Sequence, residues 1–165
     1  MTLENPAQLA QGDACAVGPD GTSPLHPLAQ LAVIVTAEVG TVADRNGLTP
    51  MQARMLGLLV HGPRRMAELA QNLGVEKAAL TGLVDRAESR GLVARESVPG
   101  DRRSTQVIIT DAGAAASVAF YAQLNVTLDR MIATLPAADR PTFTTWTSAI
   151  VAAQFSRRRD ITQDC

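Results

Sequence analysis

The sequence predicts a mainly α-helical fold that contains one small β-hairpin. Apolar residues recur at helical spacing over most of the chain between Pro27 and Phe155. This spacing is lost after Gly91, where Leu92–Glu96 and Thr105–Ile109 have the character of two short strands. A chain of 165 residues with 46% apolar content is long enough to bury a core, and it fits one compact domain with extensions.

The N-terminal part of the chain predicts an arm followed by a helix. Residues 1–26 hold several prolines and glycines without a sustained apolar period, so we expect a flexible arm. A helix is expected from Pro27 to about Ala43, within a segment that extends over residues 27–48. Because the face of this helix is almost wholly apolar, we expect it to be buried against a large surface.

Capping and stop signals predict three helices in the middle of the chain. Thr49 and Gln52 form a capping box around Pro50, a strong helix start, and that helix stops at Gly62-Pro63. Two further helices are expected, the first closed by Gly74 and the second by Gly91. Their expected bounds are Met66–Leu73 and Glu76–Arg90.

The hairpin and two C-terminal helices complete the expected fold. Pro99 and Gly100 mark the tip of the loop 97–104 between the two strands. Thr110 is a favourable N-cap for a helix that runs to about Leu135, and a last helix is expected from about Ala138 to Phe155. Residues 114–165 thus form the C-terminal helices and tail. Their apolar positions are Val118, Ala122, Leu128, Met131, Ile132, Leu135, Phe143, Trp146, Ile150 and Phe155.

The spacing of small and apolar residues over 49–113 predicts a winged helix-turn-helix domain. Ala70, Gly74 and Leu80 stand at offsets of 0, 4 and 10, which suit the helix contact, the turn and the returning helix of such a unit. The β-hairpin that follows would form the wing. Any three-helix packing with a glycine turn is the alternative, and the adjacent hairpin favours the winged form.

Charge and aromatic content limit how this domain could bind nucleic acid. The whole chain has a net charge of 15 − 16 = −1, but residues 49–113 carry nine Lys or Arg against seven Asp or Glu, which is 9 − 7 = +2. All five aromatic residues lie after residue 119. A platform that stacks single-stranded bases needs aromatic side chains in a basic groove, so this mode is excluded and duplex DNA is favoured.

The second helix of the unit and the hairpin tip carry the candidate DNA contacts. In a major groove, residues near the N-terminus of the recognition helix reach base edges, and residues further along contact phosphates. Glu76 and Asp85 lie on the same helix and would repel phosphate unless they orient a neighbouring arginine. A basic wing can place a guanidinium in the minor groove. The candidate residues are Lys77, Ala78, Thr81 and Arg86 on the helix, and Asp101, Arg102 and Arg103 on the wing.

Three motifs resemble the MarR family of bacterial transcription regulators. They are Leu-Thr-Pro-Met-Gln at 48–52, Ala-Leu-Thr-Gly-Leu-Val-Asp-Arg at 79–86, and Asp-Arg-Arg-Ser at 101–104 with Thr-Asp-Ala-Gly at 110–113. In the last motif Ile109 stands where the family usually has Leu. The resemblance implies a homodimer whose first and last two helices form the interface, and a pseudo-palindromic double-stranded DNA operator. It also implies that Arg103 reaches the minor groove, held by Asp101.

The resemblance further implies a ligand-responsive repressor in the cytoplasm. Members of the family often bind small phenolic or lipophilic effectors between the dimer helices and the DNA-reading domain. By position, Val35, Met51, Met55 and Leu59 could line such a cleft, and plain core packing is the alternative for each. Some relatives sense oxidants through a cysteine in the first helix, but Cys15 precedes that helix here.

Enzymatic, metal-binding and membrane functions find little support in the sequence. His26 and His61 lie far apart, the two cysteines lie near opposite ends, and no nucleotide-binding or hydrolase motif is present. We therefore expect no enzymatic activity, no cofactor, no metal and no membrane partner. The alternative function is a winged-helix protein-interaction module that has lost specific DNA binding, and a weaker one is a dimerisation module of a larger enzyme.

Overall fold

The computed structural model describes residues 25–98 and 100–163, with side chains described for 25–98, 100 and 104–154. Six helices and three strands follow one another in this part of the chain. In order, they are α1 (Pro27–Arg45), α2 (Pro50–Leu59), β1 (Arg64–Arg65), α3 (Met66–Leu73), α4 (Lys77–Ser89), β2 (Val93–Val98), β3 (Asp101–Ile109), α5 (Asp111–Ile132) and α6 (Arg140–Gln163). The mainly helical fold with a small sheet, expected from the sequence, is confirmed.

Local capping chemistry fixes the ends of the central helices. The Thr49 hydroxyl accepts a hydrogen bond from the Gln52 N–H at 3.2 Å, and the Gln52 side chain accepts one from the Thr49 N–H at 3.0 Å. This reciprocal pair is the predicted capping box, and it satisfies two N–H groups that a helix start leaves free. At the start of α5, the Thr110 hydroxyl accepts from the Gly113 N–H at 3.1 Å.

The sheet is larger than the predicted hairpin. It has three antiparallel strands in the order β1-β3-β2, and β1 was not predicted. The predicted strands 92–96 and 105–109 were also too short, because β2 continues to Val98 and β3 begins at Asp101. A register irregularity lies at Ser97/Val98, where Val98 pairs with Asp101. We call β2, β3 and the residues between them the wing.

The core lies where α2, α3 and α4 meet the base of the sheet and the first half of α5. Met55, Leu56 and Val84 are fully buried at its centre. Phe120 and Leu124 of α5 and Val42 of α1 extend this core toward the N- and C-terminal helices. A hydrogen bond of 3.1 Å from the Asn46 side-chain amide to the Gln123 side-chain oxygen also links the end of α1 to α5.

The outer parts of α1, α5 and α6 leave apolar side chains in solvent. Leu28 is 59% exposed, Val118 68% and Trp146 67%. The sequence predicted that α1 is buried, but in the single chain only Val42 and Ala43 of this helix are buried. Within the described residues, α1 alone is long and apolar enough to span a membrane by length and composition, a test that the core helix of a soluble protein also passes.

Several predicted element ends shift by a few residues. Helix α1 continues to Arg45 rather than Ala43, α4 covers Lys77–Ser89 rather than 76–90, and α5 ends at Ile132, before the predicted Leu135. The last helix begins at Arg140 and continues to Gln163. The expected arm over residues 1–26 and both cysteines lie outside the described residues, apart from residues 25 and 26.

Candidate DNA-binding surface

The turn between α3 and α4 has the conformation that the sequence spacing predicts. Gly74 ends α3 in the left-handed region, with φ 69° and ψ 37°. The Val75 N–H donates to the Ala70 carbonyl oxygen at 3.1 Å, which satisfies a carbonyl that the helix end would leave free. Only glycine adopts this conformation at little cost, so the turn sets the angle between the two helices.

Helix α4 presents the predicted contact residues on its exposed face. Leu80, Leu83, Val84 and Ala87 are buried against the core. Lys77, Ala78 and Thr81, by contrast, are exposed, and they lie in the first turns of the helix. The structure thus places these three candidates together, where the N-terminal half of a recognition helix would face a major groove.

Two polar side chains of α4 have defined positions along this face. The Thr81 hydroxyl donates to the Lys77 carbonyl oxygen at 2.9 Å, so its oxygen is left to accept a hydrogen bond. The guanidinium of Arg86 reaches back along the helix. Its Nη1 atom would lie 3.2 Å from a Cβ built on Gly82. Arg86 therefore brings its charge toward the half of α4 that holds Lys77 and Thr81.

The acidic residues of α4 pair with an arginine of the wing. The Arg95 guanidinium donates to the Asp85 carboxylate at 2.5 Å and to the Glu88 carboxylate, and the Arg95 N–H donates to the same Glu88 carboxylate at 3.0 Å. Burial alone would lower the pKa of Arg95. The bonds to Asp85 and Glu88 outweigh it and raise that pKa above its ordinary value. Asp85 thus holds a neighbouring arginine, although the sequence did not indicate which one.

Two further arginines bind inside the domain. Arg54 of α2 donates to the carbonyl oxygens of Asn72 at 3.0 Å and Leu73 at 3.3 Å, at the C-terminal end of α3. Arg90, at the end of α4, donates to the buried side chain of Gln52 at 3.3 Å. These contacts tie α2 to both helices of the helix-turn-helix unit, and sequence reasoning missed them.

The wing begins next to α4 and projects from the base of the sheet. Its backbone follows β3 from Asp101, opposite Val98 of β2. The side chains of Asp101, Arg102 and Arg103 lie outside the described residues, so their assignment to a minor-groove contact stays a prediction.

The wing is joined to α5 at a tight junction. The Thr110 hydroxyl donates to the Gly91 carbonyl oxygen at 2.6 Å, and the Thr110 N–H donates to the Leu92 carbonyl oxygen at 3.2 Å. A Cβ on Gly113 would overlap the Leu92 carbonyl oxygen. The glycine of the Thr-Asp-Ala-Gly motif is therefore required by the packing of α5 against the end of α4.

The four predicted ligand-site residues are separated in the structure. Met55 and Leu59 are fully buried core residues, and Met51 is half-buried beside the same core. Val35 instead lines an apolar cavity of about 610 Å³ between α1, α5 and α6. The other residues that line it are Leu31, Leu128, Met131, Ile132, Thr134, Leu135, Phe143 and Thr147. Among the described residues, no cluster of three or more His, Cys, Asp or Glu could hold a metal ion.

Comparison with known families identifies the domain just described. Residues 46–104, from the end of α1 to the wing, match the sequence model of the MarR family. Over these residues, the chain contains a domain of the MarR type. The three motifs that suggested the resemblance fall within this match or continue it along β3 into the start of α5.

Curated relatives share this MarR domain over part of their length. The transcriptional repressor NicR of Pseudomonas putida is 41% identical over 69 residues, which are 41% of this chain and 44% of that protein. The transcriptional repressor MdtR of Bacillus subtilis is 35% identical over 71 residues, which are 42% and 46% of the two proteins. The matched segment thus spans under half the length of each of these two relatives.

Solved structures share the fold more widely. The transcriptional regulator Tm0710 of Thermotoga maritima superposes with a TM-score of 0.62 at 26% identity, over 79% of this chain and 92% of that one. NadR, solved in complex with 4-hydroxyphenylacetate, superposes with a TM-score of 0.60 at 19% identity, over 78% of this chain and 95% of its own. Most of the length of each neighbour is therefore matched by this MarR-family fold.

Proposed function

We propose that this chain is a sequence-specific, DNA-binding transcriptional repressor that binds a pseudo-palindromic operator as a homodimer and is released by a small ligand. The observation that carries the proposal is the exposed face of α4, where Lys77, Ala78 and Thr81 stand beside the guanidinium of Arg86. This face belongs to a winged helix-turn-helix domain of the MarR family. Relatives that match the same domain are named transcriptional repressors.

Each exposed residue of α4 has a distinct chemical role in the proposal. Lys77 donates a hydrogen bond to guanine acceptors or to phosphate, and the methyl group of Ala78 contacts a thymine methyl. The Thr81 hydroxyl either accepts a hydrogen bond from a base or donates one to a phosphate. Arg86 binds phosphate and sets the register of the helix in the groove. Arg103 of the wing enters the minor groove, and Asp101 orients it.

The exposed apolar residues of α1, α5 and α6 support the homodimer. Leu28, Val118 and Trp146, each more than half exposed, lie on the three helices that leave the winged domain. Apolar surface of this extent on a small chain marks an interaction site. A two-fold interface would cover it in both subunits at once and would place two α4 helices on the two halves of a palindrome.

The apolar cavity supports a ligand of defined polarity. Its volume of about 610 Å³ falls in the range of small-molecule sites. Among the described residues that line it, the polar side chains are Thr134 and Thr147, whose hydroxyls already donate to the Met131 and Phe143 carbonyl oxygens. These hydroxyl oxygens can still accept a hydrogen bond, and no Lys, Arg or His is present among the described lining residues to neutralise a carboxylate. A neutral, lipophilic molecule with a hydroxyl group fits best, and Val35 would contact it.

The proposal also covers location and chemistry. A regulator that binds chromosomal operators works in the bacterial cytoplasm, and it needs no catalytic group or cofactor. The matched relatives are regulators rather than enzymes, which supports a non-enzymatic role.

Selection of random duplexes by the full-length chain tests DNA binding. We expect enrichment of a palindrome whose affinity, measured by fluorescence anisotropy, falls steeply with salt as counterions are released. Arg103→Ala should weaken binding by about 1–3 kcal/mol. Lys77→Ala should reduce the slope of log K against log salt by about 2 if each of two subunits loses one phosphate contact. Arg45→Ala, on the exposed end of α1, is the matched control and should change neither quantity.

Two results would contradict the proposal. Binding that ignores salt would exclude the phosphate contacts. Failure to enrich any palindrome would favour the alternative, in which the wing and α4 form a docking face for another protein. The selection repeated with neutral phenols and with phenolic acids tests the ligand: neutral phenols should release the duplex, and release by the acids alone would refute the neutral-ligand assignment.

A further inference from the structure

We propose that Arg95 is a positioning residue for DNA reading, which clamps the wing to the recognition helix through Asp85 and Glu88. The inference rests on the proposed function, since it concerns how α4 and the wing are held for one duplex. Arg95 itself does not contact DNA in this proposal. It acts by fixing the angle between the two elements that do.

Both terminal nitrogens of the Arg95 guanidinium bind carboxylates in the clamp. One of its Nη atoms binds Asp85 and the other binds Glu88. The side chain is 27% exposed, less than either of its partners. A guanidinium whose two Nη atoms each bind a carboxylate is poorly placed to bind a phosphate, because the two carboxylates already compensate its charge and hold its orientation.

The backbone makes the clamp part of the wing rather than a loose surface pair. The Arg95 N–H donates to Glu88, so β2 is held to α4 by its main chain as well as by its side chain. Arg95 also pairs in register with Val107 of β3, a fully buried residue at the base of the sheet. The clamp is therefore anchored in the core on one side and in α4 on the other.

Because the clamp lies at the base of the wing, a small rotation there moves the wing tip by a large distance. Gly100 follows Arg95 by five residues, so the tip stands about 15 Å beyond the clamp at the usual rise of a strand. A rotation of about 10° at the base would move the tip by about 2.5 Å over that length. This displacement is close to the donor–acceptor distance of a hydrogen bond. Minor-groove and major-groove contacts could then not form together on one operator.

The clamp also changes the charge that α4 presents. Without Arg95, Asp85 and Glu88 would place two uncompensated carboxylates beside the DNA-facing half of the helix. Removing both acids should, by electrostatics alone, strengthen binding to every duplex. The positioning role predicts the opposite for the operator, and this difference in sign makes the proposal testable.

The decisive variant is the double substitution Asp85→Asn/Glu88→Gln, assayed by anisotropy on the selected operator and on a scrambled duplex. We expect the ratio of operator to scrambled affinity to fall at least fivefold, while affinity for the scrambled duplex stays constant or rises. Arg95→Gln should lower operator affinity at least tenfold in the wild-type chain and less than twofold in the double variant. Arg95→Lys, which keeps the charge but not the fork, should recover only part of the loss. Glu96→Gln, an exposed position next along the strand, is the matched control.

Amide hydrogen exchange without DNA provides the second measurement. We expect the amides of 93–98 and 104–109 to exchange faster in Arg95→Gln than in Glu96→Gln, with those of α2 unchanged. Equal exchange in the two variants, additive losses of affinity, or a double variant that gains equally on both duplexes would overturn the clamp. If the wild-type chain selects no duplex, the proposed function fails, and the exchange measurement still decides the clamp.

Discussion

Gly113→Ala is a one-carbon change that tests the junction between the DNA-reading domain and α5. The added Cβ would overlap the Leu92 carbonyl oxygen and lie 3.0 Å from Cγ1 of Ile109. The Leu92 carbonyl is main chain, and it accepts from the Thr110 N–H, so it cannot turn away as a flexible side chain would. The start of α5 must withdraw by more than about 1 Å to restore an ordinary contact.

The cost of that withdrawal can be estimated from the contacts it disturbs. Overpacking a well-filled site costs about 1–3 kcal/mol. The movement also weakens the bonds from Thr110 to the carbonyl oxygens of Gly91 and Leu92, each worth about 1 kcal/mol. Alanine returns about 1 kcal/mol through its higher helix propensity. We therefore expect the free energy of unfolding to fall by about 3 kcal/mol.

Urea unfolding at one fixed protein concentration measures this loss, because the stability of the proposed dimer would depend on concentration. Gly82→Ala is the matched control. Its Cβ would contact only the flexible end of Arg86, so the same substitution should leave the chain as stable or raise its stability by up to about 1 kcal/mol. A Gly113→Ala chain within about 0.5 kcal/mol of the wild type would refute the reasoning, since the junction would then yield without strain.

Three other substitutions have expected outcomes. Gly74→Ala meets no atom within 4 Å but must adopt φ 69°, so we expect a loss of about 1–2 kcal/mol in urea unfolding, and no loss would mean that the turn relaxes. Gln52→Ala removes the acceptor shared by Thr49 and Arg90 and should cost about 1–2 kcal/mol, whereas an unchanged midpoint would show that water replaces it. Trp146→Glu should shift the mass measured by light scattering from dimer toward monomer, and an unchanged dimer mass would remove α6 from the interface.

The features that the sequence predicted well are those determined by local chemistry. The bounds of α3 match residue for residue, because Gly74 closes it by a conformation that few other residues adopt. The capping box at Thr49 needs only residues three apart in the chain. The exposed face of α4 followed in the same way from helical periodicity, which separates Lys77 and Thr81 from buried Leu80.

The features that the sequence did not predict depend on distant partners. The two residues of β1 are too few to show any period, and they form a strand only because β3 offers Val107 and Gln106 as partners. The outer ends of β2 and β3 were predicted as loop because their residues are polar. In the wing, however, the two strands pair by backbone hydrogen bonds in solvent and do not need to bury both faces. Arg95 lies seven residues after Glu88, and only the return of β2 alongside α4 brings their charges together.

Several arginines that contribute to the domain's net charge of +2 are bound within the domain, and this affects how strongly it can bind DNA of arbitrary sequence. Of the nine basic residues in 49–113, Arg54, Arg90 and Arg95 are engaged by carbonyl oxygens, an amide and two carboxylates. Binding to arbitrary sequence depends on cations that can contact phosphate, so these three engaged guanidinium groups contribute less to it than free ones would. Under the proposed function, such a domain would hold non-operator DNA less tightly than its number of basic residues suggests. In the proposed homodimer, stable binding would then require two copies to engage both halves of an operator at once.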